Sequence, residues 1–192
     1  MGRYYLAGET IMALIKVKER GTDNVTGSIV QIQHEMLTTS AVSQSITAVT
    51  DSVVNNFPTV TITPTSVSNK IKIEAQWSGE FGNEGAETNH MFFFYRDSTK
   101  LSNTSSGVDN SYRGIIQGGL TYKTDTVNNA STGNFLHMGY FDTPNTTSAI
   151  TYKLGVIMNS TQEIYISRNK TMADSSNYEN GVSWISATEI KA

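Results

Sequence analysis

The sequence predicts an all-β chain folded as an antiparallel sandwich, and three observations carry that prediction. First, two runs between Thr59 and Ser78 alternate strictly between apolar and polar side chains. Val60 and Ile62 stand between Thr59, Thr61 and Thr63, and Ile71, Ile73, Ala75 and Trp77 stand between Lys70, Lys72, Glu74, Gln76 and Ser78. A period of two turns one set towards a core and the other towards water, the pattern of a half-buried antiparallel strand. Second, Ser, Thr and Asn make up about a third of the chain, a bias that suits strands joined by polar turns. Third, about nine or ten short strand patterns follow one another with turn residues between them and no repeat of fixed period.

Residues 1–27 form a distinct leading segment. Met12 to Arg20 reads as a short helix or an extended arm, and Gly21 to Gly27 reads as a loop. The segment is either a frayed terminus or extra edge strand, or an arm that docks onto a larger assembly. In the second case Tyr4, Tyr5, Leu6, Leu14, Ile15 and Val17 are its anchoring side chains.

From Ser28 the strand signals come quickly. Val30, Ile32, His34 and Met36 alternate with Gln31, Gln33 and Glu35, which predicts a strand with its apolar set buried. A weaker strand signal runs from Ile46 to Val53. The two alternating runs follow, separated by the turn residues Pro64 to Asn69.

Met91, Phe92, Phe93, Phe94 and Tyr95 form a continuous apolar run, expected of a strand covered on both faces. One sandwich covers a strand on one face only, so the second cover is either a symmetry mate or a long loop of the same chain. The symmetry-mate reading makes these five residues an interface between copies of the chain. Arg113 to Tyr122, Phe135 to Phe141, Ile150 to Met158, Glu163 to Ser167 and Val182 to Ile190 complete the strand set.

The 192 residues suffice for one core, with residues 28–192 as a single β domain. The net charge of −3, without a basic tract, gives nucleic-acid binding no electrostatic support. The absence of cysteine removes disulfides and thiolate chemistry. No apolar run approaches the ~20 residues that a membrane-spanning helix needs. Glu9 and Lys16 interrupt any signal-peptide core, and Leu6 breaks the myristoylation pattern. Six Asn-x-Ser/Thr triplets, beginning at Asn24, Asn103, Asn129, Asn145, Asn159 and Asn169, follow from the Ser/Thr/Asn bias.

No residue pattern announces chemistry. His34, His90 and His137 have no metal-type spacing, and the first and last sit inside strand patterns. Glu80, Glu84 and Glu87 offer carboxylates to calcium or to glycoside cleavage, but their Gly-rich setting reads as a solvated connection. No nucleophile elbow or phosphate loop is present. The expectation is therefore no catalytic residue, no metal and no cofactor. The segments 103–112 and 125–134 are long and polar. With Tyr112, Arg113, Tyr122, Asn128 and Asn129 they carry the Tyr/Asn/Ser mixture of adaptable binding surfaces.

Two stretches carry a family resemblance. Thr61-Ile-Thr-Pro-Thr-Ser-Val-Ser-Asn-Lys-Ile-Lys-Ile73 resembles a pattern in tailed-bacteriophage virion proteins, in which a strand ending in "ITPTS" leads through Ser and Lys into an alternating strand. Tyr140-Phe-Asp-Thr-Pro-Asn-Thr-Thr-Ser-Ala-Ile-Thr-Tyr-Lys153 resembles a second step of the same proteins, and Ile185 to Ala192 resembles their closing strand. That group is similar to the trimeric jelly rolls of the tumour-necrosis-factor and C1q type.

The resemblance spans residues 28–192 and implies a homotrimeric jelly-roll β-sandwich on a virion. Its partners would be its own copies, other virion proteins and a host-surface glycan or protein. No long fibre shaft precedes the domain, so the expectation is a short tail fibre or spike exposing host-binding loops. A capsid decoration or head-fibre protein is the alternative, and a monomeric carbohydrate-binding module or glycosidase domain is a second.

Overall fold

The computed structural model describes residues 25–38, 42–82, 90–101, 114–118, 133–170 and 180–192. Every regular element among them is a β-strand: β1 Ile29–Met36, β2 Val42–Ile46, β3 Ser52–Val53, β4 Val60–Ile62, β5 Lys70–Phe81, β6 His90–Arg96, β7 Thr99–Leu101, β8 Ile116–Gln117, β9 Asn134–Asp142, β10 Ile150–Met158, β11 Gln162–Ile166 and β12 Trp184–Ile190. All the pairings are antiparallel and fall into two sheets.

The short strands combine end to end into longer lanes. Gly79 of β5 pairs with Asn134 of β9 on one side and Ile166 of β11 on the other. β12 takes residues 70–76 of β5, opposite β9. β11 and β12 are therefore one lane, broken between Ile166 and Trp184. By the same logic β1 and β2 share a lane, as do β3 and β4, and β7 and β8. Counted in chain order, the described strands occupy eight lanes. The first sheet has the order 1-8-3-6 (β1/β2, β11/β12, β5, β9), and the second has the order 2-7-4-5 (β3/β4, β10, β6, β7/β8).

The core lies between the two sheets, as the alternating runs require. Ile71, Ile73, Ala75, Trp77 and Phe81 of β5 face Phe92 and Phe94 of β6 and Tyr152, Leu154, Val156 and Met158 of β10, all fully buried. Trp77 packs its ring 4.9 Å from Phe81 and 5.3 Å from Phe92, centroid to centroid. Each such large side chain contributes about 1.5–3 kcal/mol by leaving water.

Two pins hold the sheets in register. Asp142, at the end of β9, is buried and accepts two bonds from Arg96 Nη1 (2.9 and 3.0 Å) and one from the Tyr152 hydroxyl (2.7 Å). Arg96 and Tyr152 are cross-strand partners in the second sheet, so this carboxylate ties the sheets together. Glu189, fully buried in β12, accepts from Gln31 Nε2 (2.7 Å), Thr65 N (2.7 Å), Thr65 Oγ1 (2.8 Å) and Asn69 Nδ2 (2.7 Å).

Three strand expectations are corrected. The Ile46 to Val53 stretch is not one strand: Ile46 closes β2, Ser52–Val53 is β3, and residues 47–51 turn between them. Thr99–Leu101 forms a strand that its short, polar sequence did not signal. β1 is a strand as expected, but its apolar side faces outwards, with Ile32 and Met36 exposed. The segment at residues 12–20, expected as a short helix or an extended arm, lies outside the described residues.

Candidate interaction surfaces

The two sheets finish their outer faces differently. On the second sheet, Phe93, Gly155, Ile157, Met91 and Tyr95 point away from the core. Phe93 and Ile157 are nonetheless buried within the single chain. Phe93 lies over Gly155, edge-on to Tyr95 (5.3 Å), and beneath the Lys100 ammonium, 4.1 Å from the ring centroid. Lys100 is itself held by Asp51 (2.7 Å). The cover that the Met91–Tyr95 run demanded is thus supplied by the chain itself. Phe92 and Phe94 belong to the core, and Met91 and Tyr95 are half-buried.

The first sheet ends in an apolar outer face. Register sets its side chains in rows: Met36, Trp184, Gln76 and His137; then His34, Ser186, Glu74 and Gly139; then Ile32, Thr188, Lys72 and Phe141. Phe135 stands beyond the first row, opposite Ser78. Trp184 lies between two histidines, His34 at 5.7 Å and His137 at 5.6 Å. The charges of the central column are already joined, Lys72 to Glu74 at 2.9 Å.

β1 has this orientation because Gln31 is needed inside. Its amide bridges Glu189 and the Thr63 carbonyl (2.8 Å), and the register shift between Ile29 and Gln31 re-aims the strand to deliver it. With the period fixed at two, Ile32, His34 and Met36 must then point outwards.

The loop and anchor residues proposed from sequence, Tyr112, Arg113, Tyr122, Asn128 and Asn129, and Tyr4, Tyr5, Leu6, Leu14, Ile15 and Val17, lie outside the described residues. So do Glu84 and Glu87. Glu80 is fully buried, and its Oε2 accepts from the Lys170 backbone amide (2.7 Å). The described residues contain no group of three His, Asp or Glu arranged to hold a metal ion. They also contain no helix long and apolar enough to cross a membrane.

Three buried groups have shifted protonation. Burial pushes the His90 imidazole down to about 4, and it stacks on Phe81 (4.2 Å) with its Nε2 2.6 Å from Gln162 Nε2. Burial, reinforced by the Asp142 carboxylate, holds the Tyr152 phenol protonated far above its ordinary range. For Glu189 burial works upwards, but the hydrogen bonds from Gln31, Asn69 and Thr65 outweigh it and leave the carboxyl below its usual value. All three sit in packed, structural settings.

No family model matches the chain, and no curated protein matches it either. Two of the sequence stretches singled out above supply the pins of the fold. "ITPTS" supplies Thr65, a donor to Glu189 of the closing strand, and the Tyr140 to Lys153 stretch supplies both Asp142 and Tyr152. Sequence reasoning missed the outer face of the first sheet. The signal was present in the alternation of β1, but neither face of that strand is buried, with Gln31 alone half-buried.

Proposed function

We propose that the chain is a non-enzymatic structural protein of a tailed-phage virion, a short tail-fibre or spike-type homotrimer that exposes host-binding loops. Residues 28–192 form its jelly roll and residues 1–27 its anchor to the particle. The observation that carries this reading is the lane order. Two four-lane sheets in the orders 1-8-3-6 and 2-7-4-5, antiparallel throughout, are what two interleaved Greek keys produce. The phage-like stretches coincide with the two pins of that architecture, so the resemblance rests on residues the fold needs.

In this arrangement the chain's own copies cover exposed apolar surface, and polar connections face outwards. Immunogold labelling of particles carrying this chain, paired with an adsorption assay, tests the proposal. Labelling at the tail, with adsorption blocked by the purified protein, is expected. Absence from particles overturns the reading, and labelling over the capsid overturns the tail-fibre half in favour of a decoration protein.

A further inference from the structure

We infer that the outer face of the first sheet is the surface on which copies of this chain assemble, with the β1 strip of one copy seated on the β9 strip of the next. The inference deepens the homotrimer reading and rests on it.

The apolar surface here is large and organised. Ile32 and Met36 on β1 are 57% and 48% exposed, and Phe135 and Phe141 on β9 are 55% and 60% exposed. At roughly 200 Å² per large side chain, these four alone present about 400 Å² of apolar area. A patch of ~300–600 Å² is the largest that a typical monomer carries, and it is often functional. The four side chains alone amount to about half of the ~800 Å² that each partner commits to a standard interface.

The geometry selects the partner. β1 and β9 form the two opposite edges of the described sheet, about 14 Å apart at the usual ~4.8 Å strand spacing. Between them runs the polar column of Ser186, Thr188, Glu74 and Lys72. One face thus carries two separate apolar strips. A head-to-tail contact that sets the first strip of one copy on the second strip of its neighbour covers both, and repetition of that contact closes a ring when the rotation between neighbours is a whole fraction of a turn, a third in the homotrimer reading.

Charge does not oppose this, because Lys72 and Glu74 already neutralise each other within one copy. The second sheet has no such need, since Phe93 is capped by Lys100 and the Lys100 charge by Asp51. The register that exposes Ile32 and Met36 is fixed by Gln31 and Glu189, so these side chains cannot turn inwards without breaking a buried network.

Light scattering on the full chain tests this with Ile32→Glu and Phe141→Glu. Thr61→Glu, on the outer side of the second sheet, serves as the control. One chain is 21.0 kDa. The wild type and the control are expected at three times that mass, and each face variant at the mass of one chain with its thermal melt retained. An oligomeric wild type with oligomeric face variants overturns this surface and leaves the trimer standing. A monomeric wild type overturns both.

Cross-linking gives a second measurement if a charged variant fails to fold. The chain has no cysteine, so Ile32→Cys with Phe141→Cys and a short bismaleimide is expected to give linked trimers. Ile32→Cys alone is expected to give none. Linked dimers from the single variant would mean a symmetric, self-facing contact and would overturn the head-to-tail arrangement.

Discussion

Replacing Glu189 by alanine is expected to lower stability by about 2–4 kcal/mol. The figure follows from what each donor does afterwards. Asn69 is buried, so its Nδ2 loses the 2.7 Å carboxylate and keeps only the 3.3 Å bond to Thr65 Oγ1, which costs about 1–3 kcal/mol. Thr65 is exposed, so its amide and hydroxyl turn to solvent and lose only the charge-assisted part of their bonds. Gln31 is half-buried and falls between these cases. Removing a buried charge returns some desolvation energy, which keeps the total below the sum of the bonds.

For a chain of this size each kcal/mol moves the midpoint by about 2–4 °C, so a fall of about 5–15 °C is expected in a thermal melt. Amide exchange at Thr65 should accelerate in the same variant, because Glu189 is that amide's acceptor. Glu189→Gln keeps one acceptor oxygen but sets an NH₂ against a donor, and a loss of about 1–2 kcal/mol is expected. The folded carboxyl titrates below its ordinary value, so its contribution is complete above ~4.3, the usual glutamate pKa, and disappears as pH falls through the lower folded one. The glutamine variant should lack that acid-side loss. An alanine variant that melts within about 2 °C of the wild type would refute the role of Glu189 as a pin.

Three further predictions concern the interior. His90 stays neutral in the folded chain down to about 4 but gains a proton near 6.5 when unfolded, so stability should be flat above pH 6.5 and fall by roughly 2–3 kcal/mol between 6.5 and 4. His90→Gln should flatten that window in urea titrations at a series of pH values, and an unchanged slope would show that another group titrates. Tyr152→Phe removes the 2.7 Å donor to Asp142 and should cost about 1.5–3 kcal/mol, read as a lower urea midpoint with an unchanged slope. Gly155→Ala places a methyl inside the space of the Phe93 ring, and overpacking of about 1–3 kcal/mol with an altered near-ultraviolet spectrum is expected; wild-type stability would mean that Phe93 moves freely.

The sequence announced those strands whose two faces meet different surroundings. Val60 to Ile62, Ile71 to Trp77 and Ile150 to Met158 alternate because one side meets the core and the other does not, and they became β4, β5 and β10, the outward Gly155 and Ile157 of β10 being covered as well. β7 went unread, and β3 and β8 were legible only inside the longer stretches Ile46 to Val53 and Arg113 to Tyr122, since elements of two or three residues complete a lane through pairing and carry almost no periodic signal. The Phe93 burial was legible as a demand for a second cover. That the cover is Lys100 with Asp51, residues distant in sequence from one another, was not.

β1 shows the sharper limit. Its alternation was read correctly, but alternation does not say which set faces the core. That choice depended on a hydrogen bond from Gln31 to Glu189, 158 residues further along the chain. The pins at Asp142 and Glu189 were equally hidden, because buried carboxylates are recognisable only once their donors are placed around them.

The break in the eighth lane separates two kinds of design freedom. At Ile166 the chain leaves the sheet, and at Trp184 it returns, with both ends fastened to one residue of β5. Ser167 N donates to the Ser78 carbonyl (2.6 Å), Ser183 Oγ donates to the same carbonyl (3.2 Å), and Ser78 N donates to Ser183 Oγ (3.1 Å). Ser183 N closes onto Ser167 Oγ (2.9 Å), and Asn169 N onto Asn180 Oδ1 (3.0 Å). These bonds make a stapled stem, so the sheet bears no tension from whatever the stem carries. The Lys170 amide is held as well, by buried Glu80, so a change in the chain between 170 and 180 is expected to leave β11 and β12 in register. The sandwich works there as a socket, in which surface identity is rewritten without renegotiating the core.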